Sequence, residues 1–323
     1  MAPSTADRWT RPHLLGLEDL SADEILALLD EADEFFPACT GRRAAPQTLA
    51  GRTVLNLFCE DSTRTRTSFT FAAERLGARV FQFHAQTSSL NKKESLADTV
   101  RNVCAMGLDA IIIRHRERGA PQRVTEVCSC SVLNAGDDSH EHPTQALLDM
   151  LAIRRRLGRI QGLTLALVGD VRHSRVARSN FFGLTKLGNR VVFVGPDVFT
   201  QDLEVKVETA RDFDAVLPQC DAVMMLRVQF ERHESLAFDV DEYIRDYQLT
   251  PDRLARAKSG ALVLHPGPVN RGIELTNEVA DGPQSVILFQ ATCGVAVRMA
   301  ALSLCVAAME RKRAACPCED PTA

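Results

Sequence analysis

The sequence predicts an α/β protein made of two doubly wound parallel-sheet domains of similar size. Two observations carry this. Short β-rich apolar runs recur at Val54–Phe58, Val80–Phe83, Ala110–Ile113 and Val132–Leu133, with helix-compatible stretches between the first three, the pattern of a sheet covered on both faces. A second set, Leu163–Val168, Val191–Val194, Ala222–Leu226, Ala261–Leu264 and Val286–Phe289, repeats the arrangement. At 323 residues, 45% hydrophobic and 25% charged, the chain is long for one core and ordinary in composition. The joint between the halves is expected near Arg154–Gly162.

The helices have local signals. Ser21 followed by Glu24 is a capping box that starts a helix over Ala22–Phe35, and Thr250-Pro251 caps another late in the chain. The last apolar helix is expected over Val295–Glu310, packing back across both halves. Beyond Arg311 the chain is short, Pro- and Cys-bearing, and expected to fray.

Charge and composition exclude several classes. A net charge of −4 and a pI near 6.1 give no basic field for nucleic acid or an anionic membrane. Met1–Pro12 lacks the apolar core of a signal peptide, and no uninterrupted apolar run approaches a membrane span, so a cytoplasmic protein is expected. Ten cysteines are scattered in mostly apolar company, which fits reduced, buried thiols. Cys128/Cys130 and Cys316/Cys318 are spaced too tightly for a zinc finger, and no metal is expected. No G-x-G-x-x-G follows a strand and no P-loop exists, which argues against nicotinamide or nucleoside triphosphate ligands.

The run Glu60-Asp61-Ser62-Thr63-Arg64-Thr65-Arg66-Thr67-Ser68-Phe69 carries the chemistry. It leads from an apolar strand into a helix whose apolar residues include Phe69, Phe71, Ala72, Ala73 and Leu76. The first helical N–H groups have no intrahelical acceptor and lie at the positive end of the macrodipole. An anion there meets backbone donors, hydroxyls and the Arg64 guanidinium together. Ligands of such sheets bind at the carboxyl ends of strands, and those ends are strongly polar here. They read Arg114-His115, then Gly136 to Gln145 with His142, then Gly169-Asp170 with His173-Ser174-Arg175, then Arg227-Val228-Gln229, then His265-Pro266-Gly267-Pro268.

Ser62-Thr63-Arg64-Thr65-Arg66-Thr67, His142-Pro143-Thr144-Gln145-Ala146-Leu147-Leu148-Asp149, Arg227-Val228-Gln229 and His265-Pro266-Gly267-Pro268-Val269-Asn270-Arg271-Gly272 resemble the transcarbamoylase family, and within it the aspartate-using branch. The likeness runs over about residues 12 to 310 and includes Ser95–Thr99 and Arg175–Asn180. Ornithine-using relatives carry a Cys in the His-Pro box and His-Cys-Leu-Pro near the end, where this chain has Thr144 and His265-Pro266.

The resemblance implies a carbamoyl phosphate-binding domain over 1–153, an aspartate-binding domain over 154–290, and a helix over 291–323 returning to the first, with the active site in the cleft between domains. It implies attack of the aspartate amino group on carbamoyl phosphate, with no cofactor. Ser62, Thr63, Arg64, Thr65 and Arg114 would hold the phosphate; His142 and Thr65 would bind the carbamoyl oxygen; Gln145 and the backbone near Gly267 and Pro268 would hold the carbamoyl amine. Arg175, Arg227, Gln229 and Lys92 would bind aspartate. Glu60 would pair with Arg175 and Arg232 on closure, while Ser89 and Lys92 would reach into a neighbour's site, hence a homotrimer. Regulatory or pathway subunits are further partners the family allows. Asp61, Lys93, Arg116 and Cys293 depart from the family pattern. A carbamoyltransferase for another amino acid, and a non-catalytic scaffold, stay open as alternatives.

Overall fold

The computed structural model describes residues 8–84, 94–228 and 239–315. The expected site residues Ser89, Lys92, Gln229 and Arg232, and Lys93, lie outside them. The chain divides into two compact units, Met1–Leu151 with Ala291–Ala323, and Ala152–Gln290.

The first unit contains α1 (Ala22–Cys39), β1 (Thr53–Phe58), α2 (Thr63–Arg75), β2 (Arg79–His84), α3 (Leu96–Cys104), β3 (Ala110–His115), α4 (Ala120–Thr125) and β4 (Ser131–Asp137). The capping box forms as read: Ser21 Oγ accepts from the Glu24 N–H, and Glu24 accepts from the Ser21 N–H. The helix runs past Phe35, through Pro37. All four strands are parallel, in the order β2-β1-β3-β4. The N-terminal segment covers the β4 edge, where Leu14 donates to Val132 O and accepts from Asn134 N–H.

α5 (Pro143–Leu157) crosses into the second unit, so the division falls inside a helix, a little before the loop expected to be the joint. There follow β5 (Thr164–Val168), α6 (Arg175–Lys186), β6 (Arg190–Val194), α7 (Asp197–Thr200), β7 (Glu208–Ala210), α8 (Phe213–Val216), β8 (Ala222–Met225), α9 (Val240–Tyr247), α10 (Pro251–Leu254), β9 (Leu262–Leu264) and α11 (Asn277–Ala280). The sheet is again parallel, in the order β7-β6-β5-β8-β9, over a core of Val168, Val194, Phe199, Met225 and Tyr243. α12 (Ile287–Ala315) runs from this unit into the first.

The strand reading differs from the structure in two places. The run Val286–Phe289 is not a strand. Only its first residue touches the sheet, where Val286 N–H donates to Val263 O, and the rest opens α12. A short apolar run is ambiguous between strand and helix, and here the long apolar stretch that follows decides for helix; Leu288 is 85% exposed, so the run has no buried strand face. Conversely β7, Glu-Thr-Ala, is a polar edge strand with no apolar signature to read. α12 has the length and overall apolarity to cross a bilayer, although Gln290, Thr292 and Arg298 interrupt its apolar run. It is a core helix instead, with Ala296, Val297, Met299, Ala300, Ala301 and Leu302 fully buried.

The eight described cysteines are free thiols. Cys128/Cys130 does have a thiol neighbour, Cys104, whose Sγ lies 4.0 Å from that of Cys130. Among the described residues, no group of His, Cys, Asp or Glu side chains could hold a metal ion.

Candidate active site

In the first unit, topology brings three sequence-distant segments together. β1, β3 and β4 are neighbours, with Phe58 beside Arg114 and His115 beside Asp137, so their carboxyl ends adjoin. The Ser62–Thr65 helix start, the Arg114 strand end and the His142 loop all lie there.

Ser62 is the N-cap of α2, in extended geometry, and its hydroxyl makes no capping bond to the helix. Its carbonyl accepts from Arg66 N–H at 3.3 Å. Thr65 is buried in the first turn, whereas Thr63, Arg64 and Asp61 are exposed. Phe69, Ala72 and Ala73 are fully buried and fix the helix on the sheet. Arg114 is half-buried; its Nε lies 3.2 Å from Glu60 Oε2 and its Nη1 donates to Ala135 O at 3.3 Å. Glu60 thus pairs within its own unit with Arg114, which the sequence does not suggest; of the partners expected for it, Arg175 stands in the second unit and Arg232 lies outside the described residues.

His142 is buried just before α5. Its carbonyl accepts the first bonds of the helix, from Gln145 at 3.0 Å and Ala146 at 3.3 Å, and Pro143 takes the first helical position, where its missing N–H costs nothing. A buried polar network supports this loop. Asp137 accepts from Gly119 N–H, Glu141 N–H and Asn134 Nδ2, and its Oδ2 lies 3.0 Å from His140 Nδ1. Burial pushes the Asp137 carboxyl up, but His140, Gly119 and Asn134 together hold it below the ordinary carboxylate range. Glu141 accepts from the N–H groups of Leu17 at 2.8 Å and Glu18 at 3.1 Å, tying the loop to the N-terminal segment. Gln145 Nε2 donates to Asp149 Oδ1 at 3.0 Å one turn along α5. A carboxylate only accepts, so this contact fixes which end of the Gln145 amide faces away.

The second unit aligns β5, β8 and β9 in the same manner. Ser174 caps α6 by accepting from Ala177 N–H, leaving Arg175 half-buried at its first position. Arg227, also half-buried, stands two residues beyond the end of β8. After β9 come His265 and the loop with Gly267 and cis Pro268. The two ends meet on Glu274. It accepts from Val228 N–H at 3.0 Å, Asn270 N–H at 2.8 Å and Asn270 Nδ2 at 2.8 Å, and lies 3.9 Å from His265 Nε2. His265 Nδ1 accepts from Gly267 N–H at 2.8 Å. Burial raises the Glu274 carboxyl to about 7 against the pull of those donors.

Asp137 and Glu141 lie in the polar strand end that the sequence marks but carry no role there, Glu274 has no sequence signal, and Asp149 sits in a motif without a role. Asp137, Glu141 and Glu274 each accept from a backbone N–H distant in the chain (Gly119, Leu17 and Val228), while Asp149 holds the Gln145 side chain one turn away; no local pattern displays the distant partners. The departing residues Asp61 and Arg116 are exposed and Cys293 is buried in α12.

Known proteins share this construction. Residues 12–155 match the carbamoyl-P binding domain of aspartate/ornithine carbamoyltransferases, and residues 161–305 match their Asp/Orn binding domain. The aspartate carbamoyltransferase catalytic subunit of Gluconobacter oxydans is 51% identical over 294 residues, covering 90% of this chain and 94% of that protein. The one from Geobacter sulfurreducens is 50% identical over 293 residues, with 90% and 94% covered. Among solved structures, aspartate transcarbamoylase from Trypanosoma cruzi in complex with N-(phosphonacetyl)-L-aspartic acid superposes with a TM-score of 0.84 at 32% identity, covering 92% of this chain and 96% of that one. Ornithine carbamoyltransferase from Pyrococcus furiosus gives 0.82 at 29% identity, with 92% and 97% covered. With both family domains matched in order over nearly its whole length, the chain belongs to the aspartate/ornithine carbamoyltransferase family.

Proposed function

We propose that the chain transfers the carbamoyl group of carbamoyl phosphate to L-aspartate, giving N-carbamoyl-L-aspartate and phosphate. The observation that carries this reading is the alignment of the Ser62–Thr65 helix start, Arg114 and His142 on adjacent strand ends of the first unit, in a chain about half identical to aspartate carbamoyltransferase catalytic subunits.

The amino nitrogen of aspartate attacks the carbamoyl carbon, the bond to the phosphate oxygen breaks, and the amine loses a proton. Ser62, Thr63, Arg64 and Thr65 hold the phosphate by hydroxyls and the helix N-terminus, and Arg114 adds a guanidinium. Their fixed donors stabilise the charge building on the leaving oxygen. His142 and Thr65 donate toward the carbamoyl oxygen as it becomes an oxyanion. Gln145 Oε1, turned outward by Asp149, accepts from the carbamoyl amine together with the carbonyls near Gly267 and Pro268. Arg175, Arg227 and Gln229 bind the two carboxylates. Two guanidinium groups suit a dicarboxylate, whereas ornithine would bring an extra cation. No cofactor takes part.

Lys92 and Ser89 reach a neighbouring chain's site, which makes the working unit a homotrimer; Glu60 and Arg232 belong to its closed state. The reaction is the committed step of de novo pyrimidine synthesis, carried out in the cytoplasm. The free thiols and the burial of α12 within the protein support that compartment. Phosphate release from carbamoyl phosphate, measured with and without L-aspartate and with L-ornithine in parallel, tests the reading. Stimulation by aspartate alone is expected, and release driven only by another amino acid would overturn it.

A further inference from the structure

Arg298 is an unusual charge in the first unit. It lies along α12 among the most apolar residues of the chain and is only 3% exposed. Burial pushes its guanidinium down to about 9, and the nearby Asp149 charge acts the other way. A cation removed from water must be matched by protein groups, and a buried one replaceable by a methionine of similar size would ordinarily be a poor stabiliser. The groups that match Arg298 lie on the two helices that begin at the candidate site. On α2, Ser68 Oγ accepts from Arg298 Nη1 at 2.7 Å, and the Phe69 ring centroid is 4.9 Å from the guanidinium carbon. On α5, Asp149 supplies the opposing charge and accepts from Gln145 Nε2 at 3.0 Å.

Gly294, one turn earlier on α12, makes the space. A Cβ there would stand 2.7 Å from Arg298 Nη1 and 3.0 Å from Leu148 Cδ2. The helix thus gives up a side chain at residue 294 where the guanidinium passes.

We propose that Arg298 is a positioning residue for carbamoyl transfer, holding the phosphate-loop helix through Ser68 and the Gln145 amide through Asp149. This rests on the function proposed above, because it is the carbamoyl amine that needs an acceptor. Asp149 accepts only, so Gln145 must turn Nε2 toward it and present Oε1 outward. A carbamoyl group offers N–H donors at its nitrogen and an acceptor at its oxygen. With the amide reversed, two donors would face one another. Arg298 binds Ser68 directly and its charge acts on the nearby Asp149, which holds the Gln145 amide, so a single side chain bears on both the phosphate-side helix and the carbamoyl acceptor.

Arg298→Met, Arg298→Lys and Asp149→Asn test this, each assayed over both substrates. Arg298→Met should lower kcat by about 10²-fold, the cost of a misplacement on the order of an ångström, and raise the KM for carbamoyl phosphate, while the KM for aspartate stays within about twofold. Arg298→Lys keeps the charge without the planar fork and should recover part of the loss. Asp149→Asn frees the Gln145 amide to turn and should show the same split. A purely structural role would instead change the amount of folded enzyme and leave both KM values alone. Kinetics within about twofold of wild type in Arg298→Lys and Asp149→Asn, even with Arg298→Met unfolded, would overturn the proposal. Calorimetric titration with carbamoyl phosphate alone separates this from the parent reading. A wild type that binds carbamoyl phosphate yet ignores aspartate defeats the acceptor assignment, and Arg298 is then judged on binding: unchanged affinity in the variants overturns it.

Discussion

Arg114 and Glu60 form an ion pair, Nε to Oε2 at 3.2 Å, across the carboxyl ends of adjacent strands β3 and β1. Both side chains are largely shielded, and the Cys59 N–H donates to Arg114 O at 2.8 Å, so backbone and side chain hold the two segments in one register. The carboxylate aims the guanidinium and partly offsets its charge. Arg114→Ala should therefore raise the KM for carbamoyl phosphate about 10-fold or more, the loss of one charge-assisted contact. Glu60→Gln should have a smaller effect on that KM, because it removes only the counter-charge and leaves the Arg114 guanidinium in place. Initial rates at saturating aspartate measure both, and a larger carbamoyl phosphate effect for Glu60→Gln would contradict this account.

His142 and Arg227 should separate in kinetics because they stand in different units and would meet different substrates. His142→Ala removes an oxyanion donor and should lower kcat about 10²-fold or more with phosphate binding largely intact. Arg227→Ala should raise the KM for aspartate strongly and leave carbamoyl phosphate binding nearly unchanged. Parallel effects of both substitutions on both substrates would sink the role assignments.

Much of this was legible in the sequence. The strand runs Val54–Phe58 and Ala110–Ile113 are continuous and apolar because both faces of a parallel sheet are covered, and the polar residues after them mark the strand ends. β4 was read too short, as Val132–Leu133. Its continuation Asn134–Asp137 is polar, and its burial follows from tertiary hydrogen bonds such as Asn134 Nδ2 to Leu15 O at 2.8 Å, formed 119 residues apart. The run at Val286 misled because periodicity cannot separate a short buried strand from the first turn of a buried helix. Glu274, Asp149 and Arg298 escape a sequence reading for one reason. A buried charge looks the same in a sequence as a solvated one until the fold supplies its partners.

If Lys92 acts in a neighbour's site, activity should return when two dead trimers are mixed. Lys92→Ala and His142→Ala homotrimers should each be nearly inactive, since each lacks one member of every site. Dissociated and reassembled together, they form some interfaces at which an intact Lys92 meets an intact His142, and part of the wild-type rate should reappear. No recovery in trimers shown by mass to be mixed would mean each site is built from one chain.

Glu274 should make stability depend on pH. Its side chain is fully buried, and burial raises the carboxyl from 4.5 in the free state to about 7 in the folded protein. Between those values the folded state holds a proton that the unfolded state has lost, so stability falls as pH rises through this window and levels off above about 7. The whole span corresponds to roughly 3 kcal/mol. Glu274→Gln keeps a neutral acceptor for Val228 and Asn270 but cannot ionise. Its stability relative to wild type should therefore rise by roughly 2–3 kcal/mol between pH 5 and pH 8 in urea denaturation. The KM for aspartate should move too, because Glu274 holds the Val228 N–H beside Arg227. A difference between variant and wild type that is flat across this range would show that the three donors keep Glu274 ionised throughout.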